Sequence, residues 1–204
     1  ARNKPVEGEA VSSPLEGATS AYLKLDHGAG RLAMHSGAGS AEILNGTFGN
    51  GLSYKSHLEG DRLDVKLRTS QQAWAWWPGE SLDWDIRLNR DLPLSLKIDS
   101  GASASVLDLS DLKVTDLDID TGASSTELTL PANAGKTHVD IDTGASSLKV
   151  SIPAGVAASI RIKSGIASVK VNSRFPRFEG GLYQSSDYGT ATNSVDMTID
   201  AGVG

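Results

Sequence analysis

The sequence has no cysteine, few aromatic residues and no long apolar run. Its 204 residues contain 0 cysteines and 5% aromatics. Without cysteine, a disulfide framework, a thiol nucleophile and zinc sites built on thiolates are excluded. The apolar runs are far shorter than the roughly 20 residues that a membrane-spanning helix needs. The sequence therefore predicts neither a membrane span nor a signal peptide within these residues.

Positive charge is also scarce. Lysine and arginine sum to 19, and aspartate and glutamate sum to 25, which gives a formal net charge of −6. Basic side chains that neutralise phosphates supply most of the affinity of nucleic-acid-binding proteins, and no cluster of them occurs here. We therefore expect no nucleic-acid partner. The length fits one domain or two small ones.

The chain divides into a short polar start and a long region of alternating residues. Residues 1–17 hold two prolines and three glutamates. They bury too little to offset the entropy of ordering, so we interpret them as a linker or stalk. From Ala21 onward apolar and polar residues alternate with period two, as in LDVKL at 63–67, which predicts strands. Two such runs on either side of residues 59–61 predict an antiparallel hairpin over 52–67.

An internal repeat is the strongest pattern in the sequence. Four segments align without gaps around one glycine, at residues 96–109, 117–130, 139–152 and 160–171. Each glycine is predicted to form a corner between two short strands, either because it adopts a positive φ or because a Cβ has no room there. The corner glycines are Gly101, Gly122, Gly144 and Gly165, spaced 21, 22 and 21 residues apart.

Strands of this length cannot bury an apolar face alone, but stacked repeats form a continuous core. The sequence therefore predicts an all-β fold: a parallel β-helix-like, single-stranded solenoid with a mixed N-terminal cap and hairpin region. We assign residues 18–92 to an N-terminal β region that combines early rungs with a cap. Residues 93–204 form the repetitive solenoid, continuous with 18–92 as one domain. A sandwich of antiparallel hairpins is the alternative, but it gives no reason for identical corners at a fixed period.

The motifs resemble those of a known family. LKLDHGAGRL at 23–32, GAGSAEILNGTF at 37–48 and WDIRLNRDLPLSLKIDSGAS at 84–103 are similar to the toast-rack domain of LiaF-type bacterial cell-envelope-stress proteins. They are also similar to the broader group of adhesin β-solenoids. The resemblance covers about residues 20–204. It implies a β-helix outside the cytoplasm, at the cell surface or anchored in the membrane through an upstream segment, and it transfers no catalytic residue.

Aspartates in the aligned repeats predict an acidic patch. Residues i and i+2 share one face of a strand about 6.6 Å apart, so stacking brings four carboxylates together, with the basic pair Arg161 and Lys163 on the next rung. Clustered carboxylates are ligands for Ca²⁺, but the spacing of calcium-binding repeats is absent. Aspartates before Ser/Thr-Gly also bond local backbone amides. We favour a solvated face and assign no metal or other cofactor. The four aspartates are Asp118, Asp120, Asp140 and Asp142.

All four tryptophans fall within eleven residues, and the run QQAWAWWPGE at 71–80, which contains three of them, has no charge until Glu80. In a strand Trp74 and Trp76 share one face, and Trp77 faces the other way. Aromatic clusters of this kind close the apolar end of a solenoid or anchor a partner. We favour a cap; if this run is exposed, Trp74, Trp76 and Trp77 are the best candidate interaction patch in the chain.

No catalytic constellation stands out. The histidines are scattered, and neither a Gly-x-Ser-x-Gly elbow nor a phosphate-binding loop occurs. Facing carboxylates recur as a repeat instead of forming one acid–base pair with distinct surroundings. The sequence thus predicts a non-enzymatic interaction or sensing module of a membrane-tethered cell-envelope protein, with a protein or a cell-wall polymer as partner. A surface adhesin or carbohydrate-binding solenoid is the alternative, and a polysaccharide-active β-helix enzyme a more distant one.

Overall fold

The computed structural model describes residues 9–49, 52–70, 82–144, 146–166 and 168–203. Most of these residues form strands, and the helical part of the described chain is a 3₁₀ turn at Glu179–Gly181. Within these ranges no helix is long and apolar enough to span a membrane. The strands are β1 (Glu9–Pro14), β2 (Ser20–Ser36), β3 (Glu42–Phe48), β4 (Leu52–Glu59), β5 (Arg62–Thr69), β6 (Trp84–Leu88), β7 (Leu94–Asp108), β8 (Val114–Thr121), β9 (Ser124–Thr129), β10 (Lys136–Thr143), β11 (Ser146–Ser151), β12 (Ala157–Ile166), β13 (Leu182–Gln184) and β14 (Ser194–Val203).

The strands stack into two walls that share β2 and β7. The first wall has the order β4-β5-β2-β7-β8-β10-β14-β12-β13, and the second wall has the order β1-β3-β6-β2-β7-β9-β11. Neighbouring strands are parallel from β5 to β12 in the first wall and from β6 to β11 in the second. The antiparallel pairs lie at the ends of the walls. This is the predicted parallel solenoid, and the antiparallel sandwich is excluded.

Each rung folds over at its corner glycine. β7 runs through the bend without interruption, from Leu94 to Asp108. Before the bend the even-numbered Leu96 and Ile98 are buried, and after it the odd-numbered Leu107 and Leu109 are buried. Because side chains alternate between the two faces of a strand, this change of parity places the apolar faces of both walls around one core.

Apolar residues in equivalent positions of the repeats set the register of the stack. Leu23 lies opposite Leu96, Leu96 opposite Leu117, and Leu117 opposite Val139. All four are buried. A slip of one residue would turn a strand's whole apolar set to solvent, so the hydrophobic pattern specifies the pairing strongly.

The order of the rungs departs from the sequence at one place. β14, the last of the described strands, runs between β10 and β12 and pairs with both. The prediction that Arg161 and Lys163 form the rung next to the aspartates of β10 was therefore wrong, because Thr198 and Asp200 take that place. Parallel repeats with the same alternation can pair in any order, so the pattern alone did not fix the sequence of rungs.

Two antiparallel additions complete the N-terminal end. β4 and β5 form the hairpin predicted for residues 52–67. β1 pairs with β3, so residues 9–14 belong to the sheet and not to the linker that was assigned to residues 1–17. Pro14 is compatible with this strand because β1 lies at the edge of its wall, where a missing N–H removes no ladder bond. Phe48 and Trp84 fill the core at this end, edge to face with ring centroids 5.2 Å apart.

Candidate interaction surfaces

The corner glycines of successive rungs stack closely on one another. Gly101, Gly122 and Gly144 do not have a positive φ, so the first of the two reasons considered for these glycines was wrong. A Cβ added to Gly101 would lie 2.4 Å from the carbonyl oxygen of Gly28. The corresponding distance is 3.3 Å from Gly122 to the Gly101 oxygen and 3.1 Å from Gly144 to the Gly122 oxygen. At Gly101 the carbonyl of the preceding rung leaves no room for a Cβ, whereas at Gly122 and Gly144 it leaves a tight fit. Gly165, the fourth corner glycine, lies within β12.

A column of buried hydroxyl groups runs along the inside of the corners. Ser100, Thr121 and Thr143 occupy equivalent positions on β7, β8 and β10, and all are buried. Thr121 Oγ1 donates to Thr143 Oγ1 at 3.1 Å, and it accepts from Ser124 Oγ at 3.0 Å. These bonds tie neighbouring rungs together and hold each bend closed. The repeated Ser or Thr before each glycine was visible in the alignment, but its burial depends on the direction of the bend.

His27 takes the equivalent position on β2, opposite Ser100. It is buried against Trp84, with ring centroids 4.9 Å apart, and its Nε2 donates to the Leu82 carbonyl oxygen at 3.1 Å. Burial lowers the pKa of His27, while the Leu82 hydrogen bond and the charge of Asp83 act in the opposite direction. The imidazole is therefore a neutral structural group at neutral pH.

The outer side of the first wall carries an acidic face, formed by outward residues of β8, β10 and β14. Asp118 lies opposite Asp140, and Asp120 lies opposite Asp142, as the aligned repeats predict. β14 adds a third rung of aspartates that the sequence analysis missed, because this strand was expected elsewhere. The acidic face comprises Asp116, Asp118, Asp120, Asp140, Asp142, Asp196 and Asp200.

Basic side chains border the acidic face on both sides. Lys97 Nζ donates to an Asp118 carboxylate oxygen at 2.8 Å, and this hydrogen bond raises the pKa of Lys97. At the other border Lys163 lies opposite Asp200. In the part of the chain that the structure describes, no group of three or more His, Asp or Glu is arranged to hold a metal ion. The acidic face is a row of exposed like charges with basic margins.

Among the described residues, the second wall has fewer rungs at this end than the first wall. β11 pairs with β9 along one edge, and no described strand pairs with its other edge. The first wall continues past β10 with β14 and then β12. Because β14 lies between them, β10 and β12 are two strand spacings apart, about 9.6 Å. This leaves a gap one strand wide beside β11, which we call the strand slot.

The strand slot is an open cavity of about 630 Å³ that is lined by both apolar and polar residues. Leu148 and Val150 of β11 are only half-buried, although Leu128, one rung earlier, is fully buried by β11 itself. Lys170 and Arg174 also line the slot, and no carboxylate does among the residues described. Its apolar lining includes Leu148, Val150, Ile160, Val169, Met197 and Ile199.

The predicted aromatic patch lies outside the described residues. Trp74, Trp76 and Trp77 fall in the range 71–81. Trp84, the fourth tryptophan, is described; it is 1% exposed and packs in the core beside Phe48. Trp84 therefore belongs to the interior of the N-terminal end, and the candidate patch is confined to the other three tryptophans.

Comparison with known proteins agrees with this architecture. The family model for the N-terminal domain of toast_rack (DUF2154) matches residues 2–151, which run from before β1 to the end of β11. The chain belongs to the toast-rack family. The matched part of this toast-rack chain contains Gly101, Gly122 and Gly144 and the aspartates of β8 and β10. The resemblance read from the sequence motifs is thereby confirmed.

A solved structure has the same fold as this toast-rack protein. It is described as a putative cell adhesion protein from Clostridium sporogenes ATCC 15579, and it superposes with a TM-score of 0.88. The match covers 98% of this chain and 97% of that chain at 23% sequence identity. At this identity the similarity establishes the fold. No curated protein matches the sequence significantly.

Proposed function

We propose that this toast-rack domain is a non-catalytic interaction module of a bacterial cell-envelope protein, working outside the cytoplasm at the cell surface or on the membrane. The observation that carries the proposal is the repetitive architecture. The two walls present rows of equivalent side chains, whereas catalysis needs a few unlike groups that converge on one reacting atom. Rigid repeat stacks suit the recognition of extended partners.

The titratable groups support a role without catalysis. The carboxylates of the acidic face recur on three rungs of an outward surface, and the two that have a close basic or imidazole partner, Asp118 with Lys97 and Asp140 with His138, are themselves exposed. His27 is buried behind Trp84 and has no access to a substrate. The family membership and the fold of the cell adhesion neighbour agree with a surface role, and sensing of envelope stress is the role that the LiaF-type resemblance suggests.

The charge distribution limits which surfaces of the domain can contact an anionic partner. A face of seven aspartates repels anionic wall polymers and anionic lipid headgroups, so we expect contact through other surfaces. The run containing Trp74, Trp76 and Trp77 remains the aromatic candidate for this contact, since tryptophans often anchor interfaces. The partner on this proposal is a protein or a wall polymer of the envelope.

The test is a binding measurement with the purified, fluorescently labelled chain and the envelope fraction of the source bacterium. We expect saturable binding that is lost after one of two pretreatments: protease, which would identify a protein partner, or wall hydrolase, which would identify a polymer. Replacing Trp74, Trp76 and Trp77 together by alanine should weaken binding at least tenfold, as expected when aromatic anchors are removed. Phe178→Ala is the matched control, because Phe178 is a 54% exposed aromatic outside this run.

Two results would overturn the proposal. One is the absence of saturable binding to the envelope fraction under any pretreatment. The other is full protection of the native protein when cells whose wall and any outer membrane have been opened are treated with a protease that digests the purified chain, because a module outside the cytoplasmic membrane should then be cut. If the triple tryptophan variant and Phe178→Ala bind the envelope fraction equally well, the tryptophans are not the contact surface, but the domain is still an interaction module.

A further inference from the structure

We propose that a hollow on the outer side of the first wall binds the repeating phosphate groups of a linear phosphodiester polymer of the cell wall. The polar side chains that line this basic hollow are Lys24, Asp26, Ser53, Lys55, Lys66 and Arg68. The inference rests on the proposed function, because it names the chemistry of one partner of the interaction module. The hollow lies on β4, β5 and β2, and β7 separates it from the acidic face.

Four lysines on neighbouring strands form a row through the hollow, which we call the lysine row. Lys55 of β4 lies opposite Lys66 of β5. Lys66 lies opposite Lys24 of β2, which in turn lies opposite Lys97 of β7. Three strand spacings of about 4.8 Å make the row about 14 Å long. These lysines are far apart in the sequence, so only the pairing of the strands brings them together.

The basic hollow is an open cavity of about 250 Å³. Four cationic side chains and one carboxylate line it, although the whole chain has a net charge of −6. The fold therefore concentrates positive charge at this place in an acidic protein. A local excess of one charge in a cavity attracts ligands of the opposite charge.

Two of the lysines have no carboxylate partner in the described part of the chain. Lys24 and Lys97 each have an aspartate within ion-pair distance. Lys55 and Lys66 form no such pair with a described residue, and both are exposed. Like charges directly opposite each other destabilise a sheet. An anion between Lys55 and Lys66 would remove this repulsion, so the pair favours a bound anion.

The hollow also supplies hydrogen-bond donors for phosphate oxygens. Arg68 Nε lies 3.1 Å from an Asp26 carboxylate oxygen, and the guanidinium has further N–H groups beyond this one. Ser53 lies opposite Arg68 on β4 and contributes a hydroxyl group to the same cavity. Arginine binds phosphate through paired N–H groups, and lysine binds it as a point charge. The hollow therefore offers both kinds of contact to one phosphate group.

A repeating polymer fits the lysine row better than a single anion does. The row continues past the hollow to Lys97, so a chain laid across the strands meets a cation on each of four successive strands. Linked contacts on one polymer give an affinity that a single phosphate does not reach. Equivalent cations at equal spacing therefore suit a polymer with one phosphate in each repeating unit.

Other anionic partners fit the hollow less well. A membrane is flat and would also meet the acidic face on the same wall, which anionic headgroups avoid. Single-stranded nucleic acids gain much of their affinity by stacking bases on aromatic side chains, and no described aromatic residue lines the hollow. A second copy would have to dock its rigid acidic face and desolvate charges on both walls, which is costly. A flexible polymer can follow the row and turn away from the acidic face.

The experiment uses the purified chain and a fluorescently labelled poly(glycerol phosphate) of about ten units, with binding followed by fluorescence anisotropy. We expect saturable binding at 50 mM salt, and about 20- to 50-fold weaker binding at 200 mM salt, as for three or four phosphate contacts on a flexible chain. Inorganic phosphate should displace the labelled polymer only at a phosphate concentration at least about tenfold above that of unlabelled polymer.

The variant Lys55→Gln/Lys66→Gln removes the two unpaired lysines. We expect it to bind the polymer at least about tenfold more weakly, and its melting temperature should not fall, because a like-charge pair is lost. Lys113→Gln/Lys149→Gln is the matched control, since it removes the same charge from two exposed lysines outside the lysine row and should bind like the native chain. Saturating polymer should raise the melting temperature of the native chain and the control more than that of the Lys55→Gln/Lys66→Gln variant.

Several results would overturn the proposal. One is the absence of saturable polymer binding at low salt. Another is equal polymer binding by Lys55→Gln/Lys66→Gln and Lys113→Gln/Lys149→Gln, because the contact would then lie elsewhere. Displacement by inorganic phosphate at the same phosphate concentration as unlabelled polymer would leave a site for a single anion.

Three controls separate the polymer from other partners. Vesicles of phosphatidylglycerol and phosphatidylcholine, or an oligothymidylate with as many phosphates as the polymer, should bind more weakly. Equally tight binding of either would assign the hollow to a lipid surface or a nucleic acid and refute the polymer. Self-association at low salt that Lys55→Gln/Lys66→Gln abolishes would show that the acidic face of a second copy fills the hollow.

Failure of this inference can be told apart from failure of the proposed function. Binding to the envelope fraction that survives wall hydrolase and is unchanged in Lys55→Gln/Lys66→Gln would refute the polymer site and retain the interaction module. Polymer binding at the hollow without any saturable binding to the envelope fraction would retain the hollow and refute the proposed function.

Discussion

Replacing Gly101 by alanine tests the reason for the repeated corners. The added Cβ would lie 2.4 Å from the carbonyl oxygen of Gly28, whereas ordinary contact begins near 3.4 Å, so the shortfall is 3.4 − 2.4 = 1.0 Å. The obstacle is backbone, and pairs on either side of it, His27 with Ser100 and Ala29 with Ala102, hold β2 against β7. The shortfall cannot be relieved by rotating a side chain.

The expected loss of stability in Gly101→Ala has two contributions. Overpacking of a rigid site costs about 1–3 kcal/mol, and loosening one neighbouring backbone hydrogen bond costs about 1 kcal/mol. We expect Gly101→Ala to lower the free energy of unfolding by about 3 kcal/mol. For a chain of this size 1 kcal/mol shifts the melting temperature by roughly 2–4 °C, so a fall of about 6–12 °C should be seen by differential scanning calorimetry.

Gly122→Ala is the matched control. Gly122 occupies the same corner one rung later, but its Cβ would lie 3.3 Å from the Gly101 oxygen, a shortfall of 3.4 − 3.3 = 0.1 Å. Alanine also lowers the conformational entropy of the unfolded chain, which stabilises the folded state by about 0.4–1 kcal/mol. The melting temperature of Gly122→Ala should therefore change by no more than about 3 °C. Equal losses for the two variants, or no loss for Gly101→Ala, would refute the argument that the carbonyl of the preceding rung excludes a Cβ.

Three other predictions concern buried hydroxyls, acid and like charges. Thr121→Val should lower the free energy of unfolding by about 1–3 kcal/mol, because the bonds from Thr121 to the buried Thr143 hydroxyl and from the half-buried Ser124 hydroxyl to Thr121 are both lost. Thr126→Val should leave the free energy of unfolding unchanged or raise it, since the buried Thr126 hydroxyl has no partner among the described residues. Urea unfolding of both variants measures this, and the same sign for both would contradict it. Because burial lowers the folded-state pKa of His27, the unfolded state binds its proton more readily, and stability should fall as the pH drops below about 6.5, by up to about 1.4 kcal/mol per pH unit; a His27→Gln variant with an unchanged pH profile of unfolding would argue against this. Asp142→Lys should raise the free energy of unfolding by a few tenths of a kcal/mol up to about 1 kcal/mol, because both cross-strand neighbours are aspartates, and the gain should shrink in high salt; a loss at low salt would show that the carboxylate has a favourable partner.

The repeat made the architecture predictable. Alternating runs and equally spaced glycines require a stack of similar rungs, and the pairing of Asp118 with Asp140 followed from aligning the corners. The hairpin over 52–67 was equally clear, because its two runs alternate around a glycine turn. In these parts local pattern and tertiary structure carry the same information.

The parts that could not be predicted depend on choices between equivalent partners. Nothing in the alternation of residues 194–203 says that this strand inserts between β10 and β12, because any rung offers it a similar apolar face. The strand slot follows from that insertion, so it too was invisible. β1 was missed because an edge strand needs one partner and little burial, and its composition is that of a linker. The burial of His27 depends on the fold of the N-terminal end.

The position of β14 has a consequence for the order in which the chain can assemble. Residues 194–203 form an interior strand, flanked by two strands that are synthesised before it. β12 contacts the rest of the first wall through β14. During synthesis β12 therefore cannot join the sheet until residues 194–203 have been made. Removing residues 194–203 would thus open a hole inside the sheet and detach β12 and β13, instead of merely shortening the stack by one layer.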